Sequence, residues 1–489
     1  MAEREQSHPG RRRSRRRRLL GWVPELLVIA ILAAGVAEWH YGLGERWAGH
    51  LPNPQTNPAR VLPPEGLDLP ALPAAGQVAA PDTGGDPSAR KVARALAPYL
   101  HARRLGRHVR VEVAGLADGR VLLDHGTGPV RPASTTKLLT TTAALQVLGP
   151  MARFTTTVRQ APLGGSRHRE EVVLVGGGDP LLASSPKAAR GLYPPRADLT
   201  TLARRTATEL LRRHRSRVEL RYDASLFSGP AFSPTWPAGY RDVVAPISAL
   251  WVDEGHDPNG TGFVSDPAQT AADLFARVLE RRGVRVAHAP RPGQAPPGSV
   301  AIAEVRSAPL GEIVQHVLEV SDNMGAEVIA RHVGLAVSRD GSFTGAVRSV
   351  LAVLHRLGVD TSGVRLHDGS GLSRQDRIGP HTLVDVLRAA AGPGHPDLRD
   401  VVTGLPVAGF TGSLSYRFDQ AFPAARGRVR AKTGTLSGVH GLAGVVTDLD
   451  GDRMVFVAVA DRVRARWDWW AQNRLDRIAG ALGACRCGQ

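Results

Sequence analysis

The chain has 489 residues, of which 42% are hydrophobic and 22% are charged, a composition ordinary for a globular protein of two or three domains. Glycine and proline together number 90 residues, which is too few for a chain that is disordered throughout. The formal net charge of +17 favours an anionic partner, but it does not distinguish nucleic acid, anionic lipid and anionic cell-wall polymer.

The first 39 residues predict a membrane-targeting segment. Residues 1–18 form a basic tail with eight arginines, and residues 19–39 are apolar except for Glu25 and Glu38. Basic residues before an apolar run place the N-terminus in the cytoplasm and the rest of the chain outside. We therefore expect a signal-anchor helix over 19–39, with a cleaved signal peptide as the alternative.

Residues 40–88 contain nine prolines and little apolar periodicity, which predicts an extended linker. After it, the apolar spacing predicts a helix from Ser88, strands over 109–113 and 120–123, and a strongly apolar helix over 138–148. The linker thus separates the targeting segment from a folded region.

The other end of the chain predicts elements that complete the same fold. Strands over 441–447 and 454–460 form a second hairpin, and 464–482 has the pattern of a closing amphipathic helix. Between the two ends, residues 159–299 are rich in short strands and in glycine or proline turns. The simplest fold is α+β, with an antiparallel sheet built from both chain ends, helices on its faces and an inserted, mostly β domain.

Only four basic residues are lysine, and the other 58 are arginine. Arginine stays protonated, whereas a buried lysine can lose its proton and act as a base, so the lysines mark the first places to look for chemistry. They are Lys91, Lys137, Lys187 and Lys432.

Three of these lysines stand in an S-x-x-K pattern. The motif at 88–91 borders the linker, and the motif at 184–187 precedes no apolar helix. Ser134 and Lys137 share one face of a helix at its start, where free backbone N–H groups and the positive end of the helix dipole lie. That setting would lower the pKa of the lysine enough for it to take the serine proton. The alternative is a helix-capping serine beside a solvent-exposed lysine.

Two further segments carry polar groups that could assist a serine nucleophile. Ser321 and Asn323 follow a predicted helix, and they can present a proton-relay hydroxyl and an amide to one pocket, although a helix terminator would have the same pattern. Residues 428–435 have the pattern of a strand in which Gly434 lets a ligand approach the backbone. The alternative interpretation of Lys432 is a lysine on the surface of an edge strand.

The order S-x-x-K, S-x-N and K-T-G resembles the signature of active-site-serine penicillin-interacting enzymes. Ser134 and Ser321 are 187 residues apart, which is more than a compact β-lactamase-like domain allows. The gap resembles the inserted domain of low-molecular-mass class C penicillin-binding proteins, the D-alanyl-D-alanine carboxypeptidases/endopeptidases, although it is short for that family. Further family segments recur as V-G-G-G-D-P at 175–180, D-A-S-L-F at 223–227, A-P-I-S-A-L at 245–250, D-G-S-G-L-S-R at 368–374 and L-P-V-A-G at 405–409.

The resemblance implies a serine β-lactamase-like DD-peptidase fold, with 89–158 and 300–489 as the catalytic domain and 159–299 as the inserted domain. It implies a serine carboxypeptidase that acts through an acyl-enzyme on peptidoglycan stem peptides ending in D-Ala-D-Ala, with D,D-endopeptidase activity as an additional option. β-Lactam antibiotics would be inhibitors, and no metal or organic cofactor is needed. The enzyme would work outside the cytoplasm, anchored in the cytoplasmic membrane.

The resemblance also implies roles for the three motifs. Lys137 would take the proton of Ser134, Ser321 would pass a proton to the leaving D-Ala, and Asn323 would hold the substrate amide. Substrate binding would also involve the strand residues Lys432, Thr433, Gly434 and Thr435. Of these, Lys432 and the two threonines would bind the terminal carboxylate, and the Thr435 backbone N–H would join that of Ser134 in an oxyanion hole.

Specificity for diaminopimelate is implied by three other positions. Asp223 and Arg374 match the family segments that hold the ammonium and carboxylate at the far end of that side chain, and Ser437 could add a hydroxyl. The alternative is that Asp223 caps a turn and Arg374 is one of 58 arginines without a special role.

Three other functions compete with this interpretation. A wall-binding protein without catalysis is disfavoured because the motif residues are intact, and a β-lactamase because of the anchor region and the long insertion. A nucleic-acid binder is disfavoured because the chain has no recognised nucleic-acid motif. The two cysteines, Cys485 and Cys487, exclude zinc ribbons and iron–sulfur sites by their scarcity, and they are either an unpaired tail or a two-residue disulfide.

Overall fold

The computed structural model of the chain describes residues 85–161, 170–418 and 422–488. Its strands are β1 (Val109–Gly115), β2 (Val121–His125), β3 (Thr155–Gln160), β4 (Glu170–Val175), β5 (Arg217–Asp223), β6 (Arg285–Val286), β7 (Arg291–Pro292), β8 (Val300–Arg306), β9 (Val429–Leu436), β10 (Val439–Thr447) and β11 (Arg453–Ala460). Its α-helices are α1 (Ala89–Leu100), α2 (Thr136–Leu148), α3 (Pro186–Ala189), α4 (Leu199–Arg212), α5 (Pro267–Arg281), α6 (Leu310–Glu319), α7 (Asn323–Ser338), α8 (Phe343–Arg356), α9 (Pro380–Ala391), α10 (Arg399–Thr403) and α11 (Asp468–Ala484).

The predicted basic tail, the signal-anchor helix and nearly all of the linker lie outside the described residues. Within those residues, no helix is both long enough and apolar enough to cross a membrane.

Both ends of the described chain contribute to one antiparallel sheet, as predicted. Its strand order is β2-β1-β11-β10-β9, and Ala460 of β11 pairs with Val109 of β1 on one side and His440 of β10 on the other. β9, which carries the K-T-G motif, is an edge strand of this sheet. Among the described residues, no further strand of this sheet therefore pairs along the outer side of the motif.

Alternating side chains of β11 enter two separate apolar cores, as the period of two along a strand requires. Val455, Val457 and Val459 pack with α2 and with helices α6 to α10. Met454 and Phe456 face the opposite side and pack with α1 and α11. Helices thus cover both faces of the sheet.

A second sheet of six strands lies between Thr155 and Arg306 in the sequence, with the order β6-β5-β4-β3-β8 and with β7 also paired to β5. β3 is antiparallel to its two neighbours, whereas β5 is parallel to β4, β6 and β7. Helices α4 and α5 pack on this sheet in a core of their own. The segment predicted as a mostly β insertion therefore also contains two long helices.

The elements that periodicity predicts are present, with shifts at their ends. The apolar helix predicted from 138 begins at Thr136, and the hairpin predicted over 441–447 and 454–460 is formed by β10 and β11. The closing helix predicted from 464 begins at Asp468, because a 3-10 helix over Ala465–Trp467 precedes it.

Cys485 and Cys487 form a disulfide, which was one of the two alternatives that the sequence left open. Helix α11 ends at Ala484, so both cysteines lie in the tail after it, with their Cα atoms 5.4 Å apart. Cys487 is buried, and its N–H donates a 2.9 Å hydrogen bond to the carboxylate of Asp448.

Candidate active site

The serine of the first motif lies on a short 3-10 helix, Ala133–Thr135, that leads directly into α2. Ala133 adopts a positive φ of 48°, which turns the chain sharply before Ser134. The first ten residues of α2 are all buried, so neighbouring elements hold the helix that carries Lys137 on every side.

Lys137 is fully buried and is the centre of a hydrogen-bond cluster. Its Nζ atom lies 2.9 Å from Oγ of Ser134, 2.7 Å from Oδ1 of Asn323 and 2.9 Å from the backbone carbonyl oxygen of Ser370. The structure therefore brings the first and second motifs together around one amine.

Burial lowers the pKa of Lys137 from 10.5 to about 8, although the nearby carboxyl groups of Asp322, Glu327 and Asp368 act in the opposite direction. An amine with a pKa near 8 is partly neutral at neutral pH. In its neutral form it can accept the proton of the serine hydroxyl that it contacts.

The second motif occupies a tight turn between α6 and α7. Ser321 is half-buried and has a positive φ of 61°, which is uncommon for a residue other than glycine and marks a constrained turn. Asp322 then caps α7 by accepting a 2.9 Å hydrogen bond from the N–H of Gly325. Asn323 is the first residue of that helix, which places its side chain against Lys137.

The third motif lies on β9, with Lys432 and Thr433 both buried. Burial and the nearby charges of Lys137 and Arg417 hold the pKa of Lys432 well below its usual range. The hydroxyl of Thr433 lies 2.8 Å from that of Ser413.

Strand β9 packs against the 3-10 helix of the nucleophile at Gly434. A Cβ atom at this position would lie 2.7 Å from the carbonyl oxygen of Pro132 and 3.4 Å from Cβ of Ala133. A side chain at this position would therefore force β9 and the 3-10 helix apart. Thr435, the next residue, is exposed.

Of the three predicted specificity residues, Arg374 and Ser437 are joined by a hydrogen bond, and Asp223 makes hydrogen bonds to other residues. Arg374 donates a 2.9 Å hydrogen bond to the backbone carbonyl of Ser437, which lies in the turn between β9 and β10. Asp223 lies at the end of β5, where its carboxylate accepts hydrogen bonds from the backbone N–H (2.9 Å) and the hydroxyl (2.6 Å) of Ser225. Among the described residues, the Asp223 carboxylate accepts hydrogen bonds from Ser225 and from the N–H of Ala295, and none of these bonds involves Arg374.

The other two S-x-x-K motifs lie at the surface. Lys91 and Lys187 are exposed, and Lys91 contacts the backbone carbonyl of Gly488. Ser185, next to the serine of the second of these motifs, caps the four-residue helix α3.

Asp368 organises the D-G-S-G-L-S-R segment, a role that its sequence pattern alone did not reveal. Asp368 is fully buried and accepts hydrogen bonds from the N–H groups of Gly371 (2.7 Å) and Ser373 (2.6 Å) and from Nε1 of Trp236 (2.6 Å). The sequence feature that could have indicated this role is the acid followed by two nearby glycines, which is typical of a tight turn whose N–H groups bind a carboxylate.

Glu327 supports the same segment and was also missed. Its carboxylate accepts hydrogen bonds from the N–H groups of Gly369 and Ser370, and the carbonyl of Ser370 binds Lys137. Burial and the charge of Asp368 raise the pKa of Glu327 to about 8. The sequence feature that could have indicated a buried, functional acid is the position of Glu327 within an otherwise apolar stretch of α7.

The chain is similar in sequence to known proteins over most of its length. A profile of the D-Ala-D-Ala carboxypeptidase 3 (S13) family matches residues 92–262 and 259–481. The chain is 36% identical over 435 residues to Carboxypeptidase DacB of Mycolicibacterium smegmatis, a match that covers 88% of this chain and 91% of that protein. It is 35% identical over 420 residues to Carboxypeptidase Rv3627c of Mycobacterium tuberculosis, a match that covers 84% of this chain and 88% of that protein.

The fold is similar to the crystal structure of penicillin binding protein 4 (dacB) from Haemophilus influenzae, with a TM-score of 0.65 and 21% sequence identity. The match covers 79% of this chain and 97% of that one, and it confirms the predicted DD-peptidase fold. On the family profile and the two carboxypeptidase relatives, the chain belongs to the D-Ala-D-Ala carboxypeptidase 3 (S13) family.

Proposed function

We propose that this protein is a serine D-Ala-D-Ala carboxypeptidase of the cell wall in which Ser134 is the nucleophile and Lys137 is the general base. The observation that carries the proposal is the 2.9 Å contact between Nζ of Lys137 and Oγ of Ser134. This lysine is fully buried, and burial lowers its pKa to about 8. A serine beside an amine that can lose its proton is an activated nucleophile.

In the first step, neutral Lys137 accepts the proton of Ser134 as Oγ attacks the carbonyl carbon of the penultimate D-Ala. The backbone N–H groups of Ser134 and Thr435 stabilise the resulting oxyanion, an effect worth about 2.7–4 kcal/mol per donor. The C–N bond then breaks, and the proton on Lys137 reaches the leaving D-Ala through Ser321. Water hydrolyses the acyl-enzyme and regenerates the serine.

The substrate is held by groups on both sides of the serine. Because Oδ1 of Asn323 accepts a hydrogen bond from Lys137, the NH₂ group of Asn323 is the part that donates to the substrate amide. Lys432, Thr433 and Thr435 bind the terminal carboxylate. An anionic group beside Lys432 favours the charged form of that buried amine, so substrate binding and protonation of Lys432 support each other.

Mass spectrometry of the purified protein tests the proposal. We expect benzylpenicillin to add one covalent adduct, and peptide mapping to place it on Ser134. Ser134→Ala should abolish both the adduct and D-Ala release from a D-Ala-D-Ala peptide, whereas the matched controls Ser88→Ala and Ser184→Ala should retain both. An adduct on either control serine, or D-Ala release by Ser134→Ala, would overturn the assignment.

A slow loss of the adduct distinguishes a carboxypeptidase from a β-lactamase. We expect little turnover of nitrocefin, because the acyl-enzyme formed from a β-lactam is hydrolysed slowly in a penicillin-sensitive peptidase. Rapid turnover would favour the β-lactamase alternative. Cleavage of D,D-cross-linked dimers of the stem peptide would show that the site is also an endopeptidase.

We propose that this chain acts on the cell wall outside the cytoplasm, as a D-Ala-D-Ala carboxypeptidase family implies. We further propose that residues 19–39 anchor this chain in the cytoplasmic membrane, with the basic tail inside the cell. The eight arginines of the tail and the linker after the apolar run support this topology. Cell fractionation and N-terminal sequencing of the mature protein would separate an anchor from a cleaved signal peptide.

A further inference from the structure

Three potential metal ligands meet beside the Ser321 turn. Glu254 comes from a 3-10 helix over Asp253–Gly255, His316 from α6, and Asp322 from the N-cap of α7. One ligand atom of each side chain lies within 4.8 Å of those of the other two. Donor atoms that each bind one ion at about 2.0–2.2 Å lie on the order of 3–4 Å apart, so small side-chain movements suffice to close such a site.

The carboxylate of Asp322 gives an independent sign that the cluster takes a ligand. Asp322 is only 8% exposed, and its Oδ2 atom is buried without a hydrogen-bond partner among the described residues. Its other oxygen is already used to cap α7. Leaving a buried acceptor unpaired costs about 1–3 kcal/mol, and more for a charged group, and a bound cation removes that cost.

His316 is suited to metal binding by its own hydrogen bond. A backbone hydrogen bond at Tyr193 engages its ring, and a neutral imidazole that donates through one nitrogen has a lone pair on the other. Ligating histidines commonly have a carbonyl partner of this kind.

Arg196 is the cation already present beside the cluster. Its guanidinium lies 3.4 Å from Oε1 of Glu254, a long ion pair that balances one of the two carboxylates. The other carboxylate, that of Asp322, lies beside Glu254 and His316. A cation held between the three side chains would contact both carboxylates.

We infer that Glu254, His316 and Asp322 form a binding site for one divalent transition-metal ion such as Zn²⁺. One imidazole and two carboxylates are a ligand set that suits Zn²⁺ and similar ions. A bound ion would tie the loop of Glu254 to the turn that carries Ser321 and Asn323. The inference does not depend on the proposed catalytic function.

Metal binding to the full-length protein tests this site. After treatment with a chelator and its removal, we expect the protein to take up one Zn²⁺ per chain, measured by elemental analysis after dialysis and by competition with a chromophoric chelator. Glu254→Gln and His316→Gln should each weaken binding at least about 10-fold. Exposed residues provide the matched controls Glu280→Gln and His355→Gln, which should bind as the wild type does.

The double variant Cys485→Ser/Cys487→Ser should also bind one Zn²⁺ per chain. Loss of binding in this variant would show that the thiols of the reduced tail are the ligands, and would overturn the inference. Circular dichroism and the rate of benzylpenicillin labelling report whether each variant is folded. A wild-type protein that binds no stoichiometric Zn²⁺, or folded Glu254 and His316 variants that bind it with unchanged affinity, would overturn the inference.

Discussion

The backbone carbonyl of Ser370 accepts a 2.9 Å hydrogen bond from Nζ of Lys137. A neutral amine has two N–H donors and one lone pair, and two of the three partners of Lys137, this carbonyl and Oδ1 of Asn323, can only accept. The lone pair is therefore left for Ser134, whose hydroxyl can donate. The cluster orients the neutral lysine as a base for the serine before substrate arrives.

The pH dependence of acylation follows from this arrangement. The folded-state pKa of Lys137 is lowered to about 8, and only the neutral amine can accept the proton of Ser134. The second-order rate constant for acylation by benzylpenicillin should therefore rise about tenfold per pH unit below about pH 7 and level off above about pH 8. Stopped-flow or labelling kinetics from about pH 5.5 to about pH 9.5 measure this, and a flat profile would contradict the assignment of Lys137 as the base.

Lys137→Arg should be nearly as damaging as Lys137→Ala, because a guanidinium stays protonated and cannot act as the base. We expect both variants to acylate about 10²–10⁴-fold more slowly than the wild type. Lys187→Arg is the matched control, since it makes the same change at an exposed S-x-x-K lysine and should have no effect. Near wild-type kinetics for Lys137→Arg would show that the residue supplies only positive charge.

The three motifs could be found from the sequence because each is local: a few neighbouring residues specify both the chemistry and the element that carries it. The contacts that organise them are not local. Asp368 binds Trp236 across 132 positions, and Asn323 binds Lys137 across 186, so no periodicity or spacing indicates these pairs. The roles of Glu327 and Asp368 likewise depend on burial, which only the folded structure provides.

Gly434→Ala should slow acylation without unfolding the protein. The new Cβ would lie 2.7 Å from the carbonyl oxygen of Pro132, so β9 and the 3-10 helix of Ser134 must move apart. A displacement of this kind in a catalytic site can cost about 100-fold in rate. Gly441→Ala is a matched control on the paired position of β10, where the closest contact is an ordinary 3.4 Å to Thr135. Equal acylation rates for the two variants would show that this contact does not position the nucleophile.

Trp236→Phe should lower the free energy of unfolding by about 1–3 kcal/mol, because it leaves the buried carboxylate of Asp368 without one of its donors. Urea denaturation followed by circular dichroism measures the change. The control Trp469→Phe alters a side chain that is 64% exposed and should change stability by less than about 0.5 kcal/mol. Equal effects of the two substitutions would mean that the indole–carboxylate bond adds little.

Asp223→Asn tests whether this carboxylate binds substrate or only caps its turn. If it binds the ammonium of diaminopimelate, kcat/KM on diaminopimelate peptides should fall while benzylpenicillin acylation stays unchanged. Asp257→Asn is the matched control, since Asp257 also caps a turn by accepting a 2.8 Å hydrogen bond from the N–H two residues ahead. Unchanged peptide kinetics for Asp223→Asn would leave Asp223 with the capping role alone.

Arg374→Ala tests the other end of the same predicted pocket. The guanidinium is half-buried at the β9–β10 turn, where it donates to the carbonyl of Ser437 and retains further N–H donors for a carboxylate. Loss of one charged hydrogen bond, about 1–3 kcal/mol, should lower kcat/KM on diaminopimelate peptides roughly 5- to 150-fold. Acylation by benzylpenicillin should be nearly unchanged, because penicillin lacks that side chain, and the exposed-arginine control Arg356→Ala should alter neither reaction. If Arg374→Ala slows both reactions equally, the arginine supports the turn of Ser437 rather than the substrate, and the proposed specificity pocket is wrong.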